Sequence, residues 1–179
     1  MTVIFRRAER IDPTRTMVLR RRRRRRDGVA LGVFFGLCFA VAVFAGQFTP
    51  GTWYELIEKP PWTPPVFVFG VVWTLLYALL AIAAWLVWRE RGHPLRPLAL
   101  GLFLLQLVFN AGWSWAFFGQ QNIGLALIDL LALWLSVALT VAVFYRISTI
   151  AGSLLVPYIA WVSFALAVNL EIWRLNPTG

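Results

Sequence analysis

Cysteine, histidine and lysine each occur once in this 179-residue chain, as Cys38, His93 and Lys59. A single cysteine excludes a disulfide framework within the chain. One histidine and one cysteine leave no pair of soft ligands to hold zinc or to clamp a haem iron from both faces. No His, Cys and carboxylate stand in a pattern that would make a nucleophile and its base. The lone lysine falls in a loop, so no span carries a Schiff-base amine. Acidic residues number eight, and only Asp129 lies deep in an apolar run. An ion pump would need several buried carboxylates.

What the chain has instead is apolar surface. It is 60% hydrophobic, and its charges cluster at the ends and between long uncharged runs. A soluble domain of this size has no interior large enough for that composition. The runs place membrane spans at about 29–48, 66–88, 98–118, 123–145 and 152–173, with "GQQN" at Gly119–Asn122 dividing the third from the fourth. Each run suits one helical crossing of roughly 20 residues. Short alternating segments of a β-barrel are not visible. The fold class expected is therefore an all-α membrane protein, a bundle of five transmembrane helices. It follows a basic tail over 1–28, expected to be disordered, and the membrane domain covers 29–176. The first loop, Gly46–Pro65, is the only connection long enough for structure of its own.

Eleven of the 17 basic residues precede Asp27, seven of them in the run Arg20–Arg26. That run reads as a topology anchor facing anionic headgroups, with a nucleic-acid contact as the alternative; no nucleic-acid partner is expected. With the N-terminus inside, 15 basic residues fall on inner segments and two, Lys59 and Arg174, on outer ones. The orientation expected is N-in and C-out, with an extracytoplasmic first loop.

Helical periodicity aligns Trp73, Tyr77, Ala84 and Trp88 in the second span. It aligns Gln106, Asn110, Trp113 and Phe117 in the third, and Pro157, Trp161, Ala165 and Asn169 in the fifth. Amides facing hydrocarbon are costly, so these faces are expected to look at one another. Trp85, Trp88 and Trp173 sit at span ends, as an interfacial belt does. For Trp73, Trp113 and Trp161, pocket lining and plain helix packing fit the pattern equally. Gln106 and Asn110 read as pocket groups or as interhelical glue. Asp129 reads as a structural hydrogen-bonding residue ahead of a proton relay, with Ser136 and Thr140 near its face. An aromatic cavity without reactive groups suits a flat apolar ligand held by stacking.

Four segments carry a resemblance. They are "WYELIEKPPWTPPVFVFGVVWTLLYALLAIAAWLVW" from Trp53, "QLVFNAGWSWAFFG" from Gln106, "ALIDLLAL" from Ala126 and "LLVPYIAWVSFALAVNLEIWRLN" from Leu154. From about Val29 to Asn176 the chain resembles the TspO family, the bacterial tryptophan-rich sensory proteins and the mitochondrial translocator protein or peripheral-type benzodiazepine receptor. The resemblance implies five helices around a cavity capped by the first loop, and a homodimer. It implies tetrapyrrole ligands, protoporphyrin IX and haem, with no cofactor required. Carried over by motif, the ligand-binding residues are Trp53, Tyr54, Trp73, Asn110, Trp113, Trp161 and Ala165; Trp73 and Trp161 are the candidates for chemistry on a bound porphyrin. Animal members have a tyrosine where this chain has Leu170, which argues against specific sterol binding. Three functions compete: a tetrapyrrole sensor or regulator, which is favoured, a light- and oxygen-dependent porphyrin-degrading activity, and porphyrin or lipid transport. The membrane expected is a bacterial inner membrane, an outer one being possible by analogy. Small residues Ala99, Gly101, Ala111 and Gly112 in the third span are the expected dimer contacts, and membrane lipids the other partners.

Overall fold

The computed structural model describes residues 13–177. Among them the elements are α1 (Pro13–Ala45), α2 (Thr52–Leu56), α3 (Val66–Arg89), α4 (Arg96–Ser114) continued by a π-helical turn (Trp115–Gly119), α5 (Ile123–Ile147), α6 (Thr149–Leu154) and α7 (Val156–Leu175). No strand occurs among the described residues, and five helical stretches there are long and apolar enough to cross a membrane. The chain runs up and down the bundle. One end gathers the start of α1, the α3–α4 connection and the end of α5. The other gathers the 46–65 loop, the π turn and the end of α7.

α1 differs from the sequence reading. It begins at Pro13 and runs unbroken through Arg20–Arg26, so residues from 13 onward in the expected disordered tail are helical; 1–12 lie outside the described residues. Proline suits a first helical turn, and arginine is among the better helix formers. At 33 residues α1 measures about 50 Å, more than a hydrocarbon core of about 30 Å. Its arginine end therefore extends beyond the bundle. There Arg91 pairs with Asp27 at 2.6 Å, and the Trp85 indole donates to the Asp27 carbonyl at 2.8 Å. These two contacts fix the start of the first span against the end of α3.

The fifth span is two helices. α6 stops at Leu154 and α7 starts at Val156, because Pro157 has no N–H to donate and its ring crowds the carbonyl four residues back. The core lies between α3, α4, α5 and α7, around Leu80, Phe103, Leu133, Phe144 and Tyr158, each at most 1% exposed. Two of the four expected dimer contacts are used inside the protomer. Ala99 is fully buried, and a Cβ on Gly112 would lie 2.6 Å from Asp129 Oδ1 on α5. Small residues there let α4 and α5 approach closely. Gly101 faces open space.

Candidate functional site

A cavity of about 660 Å³ lies between α1, α3, α4 and α7, under the 46–65 loop. Local sequence builds its roof. α1 ends at Ala45, and Gly46 to Pro50 turn the chain across the bundle. Phe48 rests on the π turn: a Cβ at Gly119 would come within 2.9 Å of its ring, so glycine is what allows this contact. The short helix α2 then sets Tyr54 into the cavity wall. Lys59 closes α2 by donating to the carbonyls of Tyr54 and Ile57, and its ammonium lies 4.8 Å from the Tyr54 ring centroid. Burial pushes the Tyr54 hydroxyl above its ordinary pKa, which keeps it a neutral phenol. Pro60, Pro61, Pro64 and Pro65 stiffen the return strand of the loop. Pro65 caps α3 from outside, one residue before its first helical turn.

Beyond its aromatic packing, the loop is hydrogen-bonded to α7 through one residue. Asn176, just past α7, accepts from the Glu58 amide at 3.1 Å and donates to the Glu58 carbonyl at 2.9 Å. Two exposed hydrogen bonds of about 0.5–1 kcal/mol each hold the lid there. Replacing Asn176 by alanine should therefore speed amide hydrogen exchange across 46–65 about tenfold and leave α3 to α5 unchanged. Exchange that is equally slow in the variant would remove this latch.

The wall is aromatic. Trp73 leans on Tyr77 at 5.6 Å between centroids, and Trp113 stacks on Phe117 at 5.4 Å with an interplanar angle of 25°. Phe117 and Phe118 of the π turn both border the cavity and meet edge to face at 4.9 Å between centroids. On the outer side Phe35 and Phe39 of α1 and Gly70 and Thr74 of α3 are both lining and exposed, so the cavity opens between these two helices.

The Tyr77 hydroxyl, the Trp113 indole and the two amides at the cavity are already engaged. Tyr77 donates to Asn110 Oδ1, Asn110 Nδ2 donates to the Tyr158 hydroxyl at 3.1 Å, and that hydroxyl donates to Gln106 Oε1 at 2.7 Å. Gln106 Nε2 ends the chain on the Phe103 carbonyl. Nearer the lid, the Trp113 indole donates to Asn169 Oδ1 at 3.0 Å, and Asn169 Nδ2 donates to the Ile123 carbonyl. The amides of the third and fifth spans thus join helices, and the faces they leave toward the cavity are largely apolar.

Of the residues singled out from sequence, Tyr54, Trp73, Asn110, Trp113 and Ala165 line the cavity, as does Asn169. Trp53 and Trp161 stand one ring further out. Trp53 packs on Phe117 at 5.6 Å, and Trp161 packs on Phe69 at 5.6 Å and on Phe164 at 5.4 Å. The inward stripe of α7 is Tyr158, Val162, Ala165 and Asn169, one position on from Pro157 and Trp161. Tyr158 would have been found by starting the i, i+4, i+7 count there. Cys38, on a span from which no wall residue was expected, also lines the cavity. Asp129 makes no side-chain hydrogen bond among the described residues; its Oδ2 is buried without a partner, against Gly112. The hydrogen bond expected from it to another span is therefore not formed, while Ser136 and Thr140 donate to carbonyls of their own helix. Trp85 and Trp88 belong to the opposite end, with the guanidinium of Arg89 4.6 Å from one ring and those of Arg91 and Arg96 5.0 and 5.5 Å from the other.

The sequence profile of the TspO/MBR family matches residues 34–174. Tryptophan-rich protein TspO of Chlorobaculum tepidum is 40% identical over 154 residues, covering 83% of this chain and 97% of that one. Protein CrtK of Rhodobacter capsulatus is 36% identical over 146 residues, covering 81% and 91%. The human translocator protein is 38% identical over 148 residues, covering 79% and 88%. With five membrane-length helices and a match over most of its length, this chain is an integral multi-pass membrane protein and belongs to the TspO/MBR family.

Proposed function

We propose that the chain is a membrane sensor or regulator that holds a tetrapyrrole, protoporphyrin IX or haem, in the aromatic cavity beneath the lid. The observation that carries this reading is the wall itself. Rigid rings from α3, α4 and the π turn border one space, and the amides beside them are taken up by tyrosine, tryptophan and backbone groups. A planar macrocycle gains about 0.5–1.5 kcal/mol per good aromatic contact beyond burial. Three such contacts with the buried area reach the roughly 8 kcal/mol of a micromolar complex. The sensory part of the reading is supported by a relative named as a tryptophan-rich sensory protein. The arginine-rich end faces the cytoplasm of a bacterial inner membrane, the lid faces out, and the working form is a homodimer.

Titration of the detergent-purified chain with protoporphyrin IX in the dark should give saturable quenching of tryptophan fluorescence at about one ligand per chain. Quenching that rises linearly without saturating would overturn the reading. Trp73 and Trp113 border the cavity, so either is placed to donate an electron to a photoexcited ring. Illuminating the same sample separates sensing from chemistry: new absorbing products that vanish in Trp73→Phe would assign a porphyrin-degrading activity.

A further inference from the structure

We propose that the arginine end of α1 forms a site selective for one anionic phospholipid, distinct from the aromatic cavity and at the other end of the bundle. A groove of about 420 Å³ lies there between α1 and α3. Its head is Arg25 and Arg26, and its walls are Val29, Val33 and Phe34 of α1 and Trp88 of α3. The order along the groove is that of a phospholipid, cations first and then an apolar trough one helical turn deeper.

Charge favours an anionic occupant. Among the described residues neither Arg25 nor Arg26 is paired with a carboxylate. Asp27 is held by Arg91 at 2.6 Å on the other side of the helix junction, and its carbonyl is taken by Trp85. Glu90, exposed beyond α3, is the other described carboxylate at this end. Guanidinium groups bind phosphate through paired N–H donors, which suits two of them at headgroup level. Trp88 marks that level. Its ring is flanked by Arg91 and Arg96, as an indole at a membrane–water interface would be when the cations lie on the aqueous side. The rest of the arginine run extends into water and raises the local potential. It does not touch the trough, so the site and the field can be separated by mutation.

The test is native mass spectrometry of the full chain released from mixed micelles holding equal amounts of phosphatidylglycerol and phosphatidylcholine. One phosphatidylglycerol should stay bound at least fivefold more often than phosphatidylcholine. Arg25→Gln with Arg26→Gln should abolish that preference. Arg21→Gln with Arg22→Gln removes the same charge away from the groove and should change it less than twofold. Equal loss in both pairs would overturn the proposal in favour of a diffuse electrostatic attraction, as would equal retention of the two lipids in the unmodified chain. Inorganic phosphate in tenfold excess should not displace the lipid; displacement would show that the arginines read a free anion and that the trough contributes nothing.

Discussion

Replacing Trp73 by alanine should weaken protoporphyrin IX binding by about 2–4 kcal/mol, roughly 30- to 1000-fold in Kd. The ring stands on α3 at the cavity wall, tilted on Tyr77 and edge-on to Tyr158 at 6.1 Å. Its removal takes away both a stacking surface and the apolar area a bound macrocycle would cover. Trp73→Phe keeps a ring and should lose less than tenfold. Trp161→Ala should lose less than fivefold, because Phe69 stands between that indole and the cavity. Sequence reasoning treated Trp73 and Trp161 as equivalent, so the contrast between them tests the geometry. Fluorescence titrations of the three variants, each checked for an unchanged melting temperature, supply the comparison. Equal losses in Trp73→Ala and Trp161→Ala would move the ligand out of this cavity.

Gly112→Leu should destabilise the fold by about 3 kcal/mol or more. A Cβ there would already sit 2.6 Å from Asp129 Oδ1, and the remaining leucine carbons would wedge α4 from α5, the most extensively packed pair of helices among the described residues. Gly112→Ala should cost less, and Asp129→Ala beside it should recover most of that smaller loss, since the carboxylate is what the new Cβ meets. Gly101→Leu should leave stability unchanged, because that position opens onto empty space. If α4 carries the dimer contact, Gly101→Leu alone should raise the monomer fraction in detergent. Thermal unfolding and cross-linking read the two effects separately. A Gly112→Leu protein as stable as the parent would contradict the helix pairing described.

The spans were legible because lipid solvent forces long uncharged helices. The starts expected at Val66 and Ile123 are those of α3 and α5. The inward faces of the second and third spans were legible because Asn110, Gln106 and Trp113 interrupt hydrocarbon. α1 gave no such signal. Its contribution to the wall, Phe35, Cys38, Phe39 and Ala42, is as apolar as a lipid-facing stripe. Its one regular repeat of small residues, Gly28, Gly32, Gly36 and Ala40, is exposed, whereas the small residues chosen on the third span are partly internal. The π turn was hidden because Trp115–Gly119 shows no sequence break before "GQQN". The turn instead depends on Gln120 N–H reaching the Trp115 carbonyl at 2.8 Å and on Gln121 at φ 52°. On α7 the expected Ala165 and Asn169 do line the cavity, but the first half of the stripe was one residue early, since Pro157 offered a more conspicuous start than Tyr158.

Stacking, and not an iron ligand, would hold a tetrapyrrole in this cavity. Three side chains in the wall have atoms able to bind iron, Tyr54, Tyr77 and Cys38, and the Tyr77 hydroxyl is already donated to Asn110 Oδ1. Burial keeps the Tyr54 phenol protonated, and the Lys59 ammonium beside it is directed to backbone carbonyls. Paired titrations with haem and metal-free protoporphyrin IX, in the parent chain and in Cys38→Ala, Tyr54→Phe and His93→Ala, decide the matter. Stacking predicts affinities for the two ligands within about tenfold, 1.4 kcal/mol, and the same ratio in all four proteins. Haem bound a hundredfold more tightly than protoporphyrin, with that excess lost in Cys38→Ala or Tyr54→Phe, would contradict it.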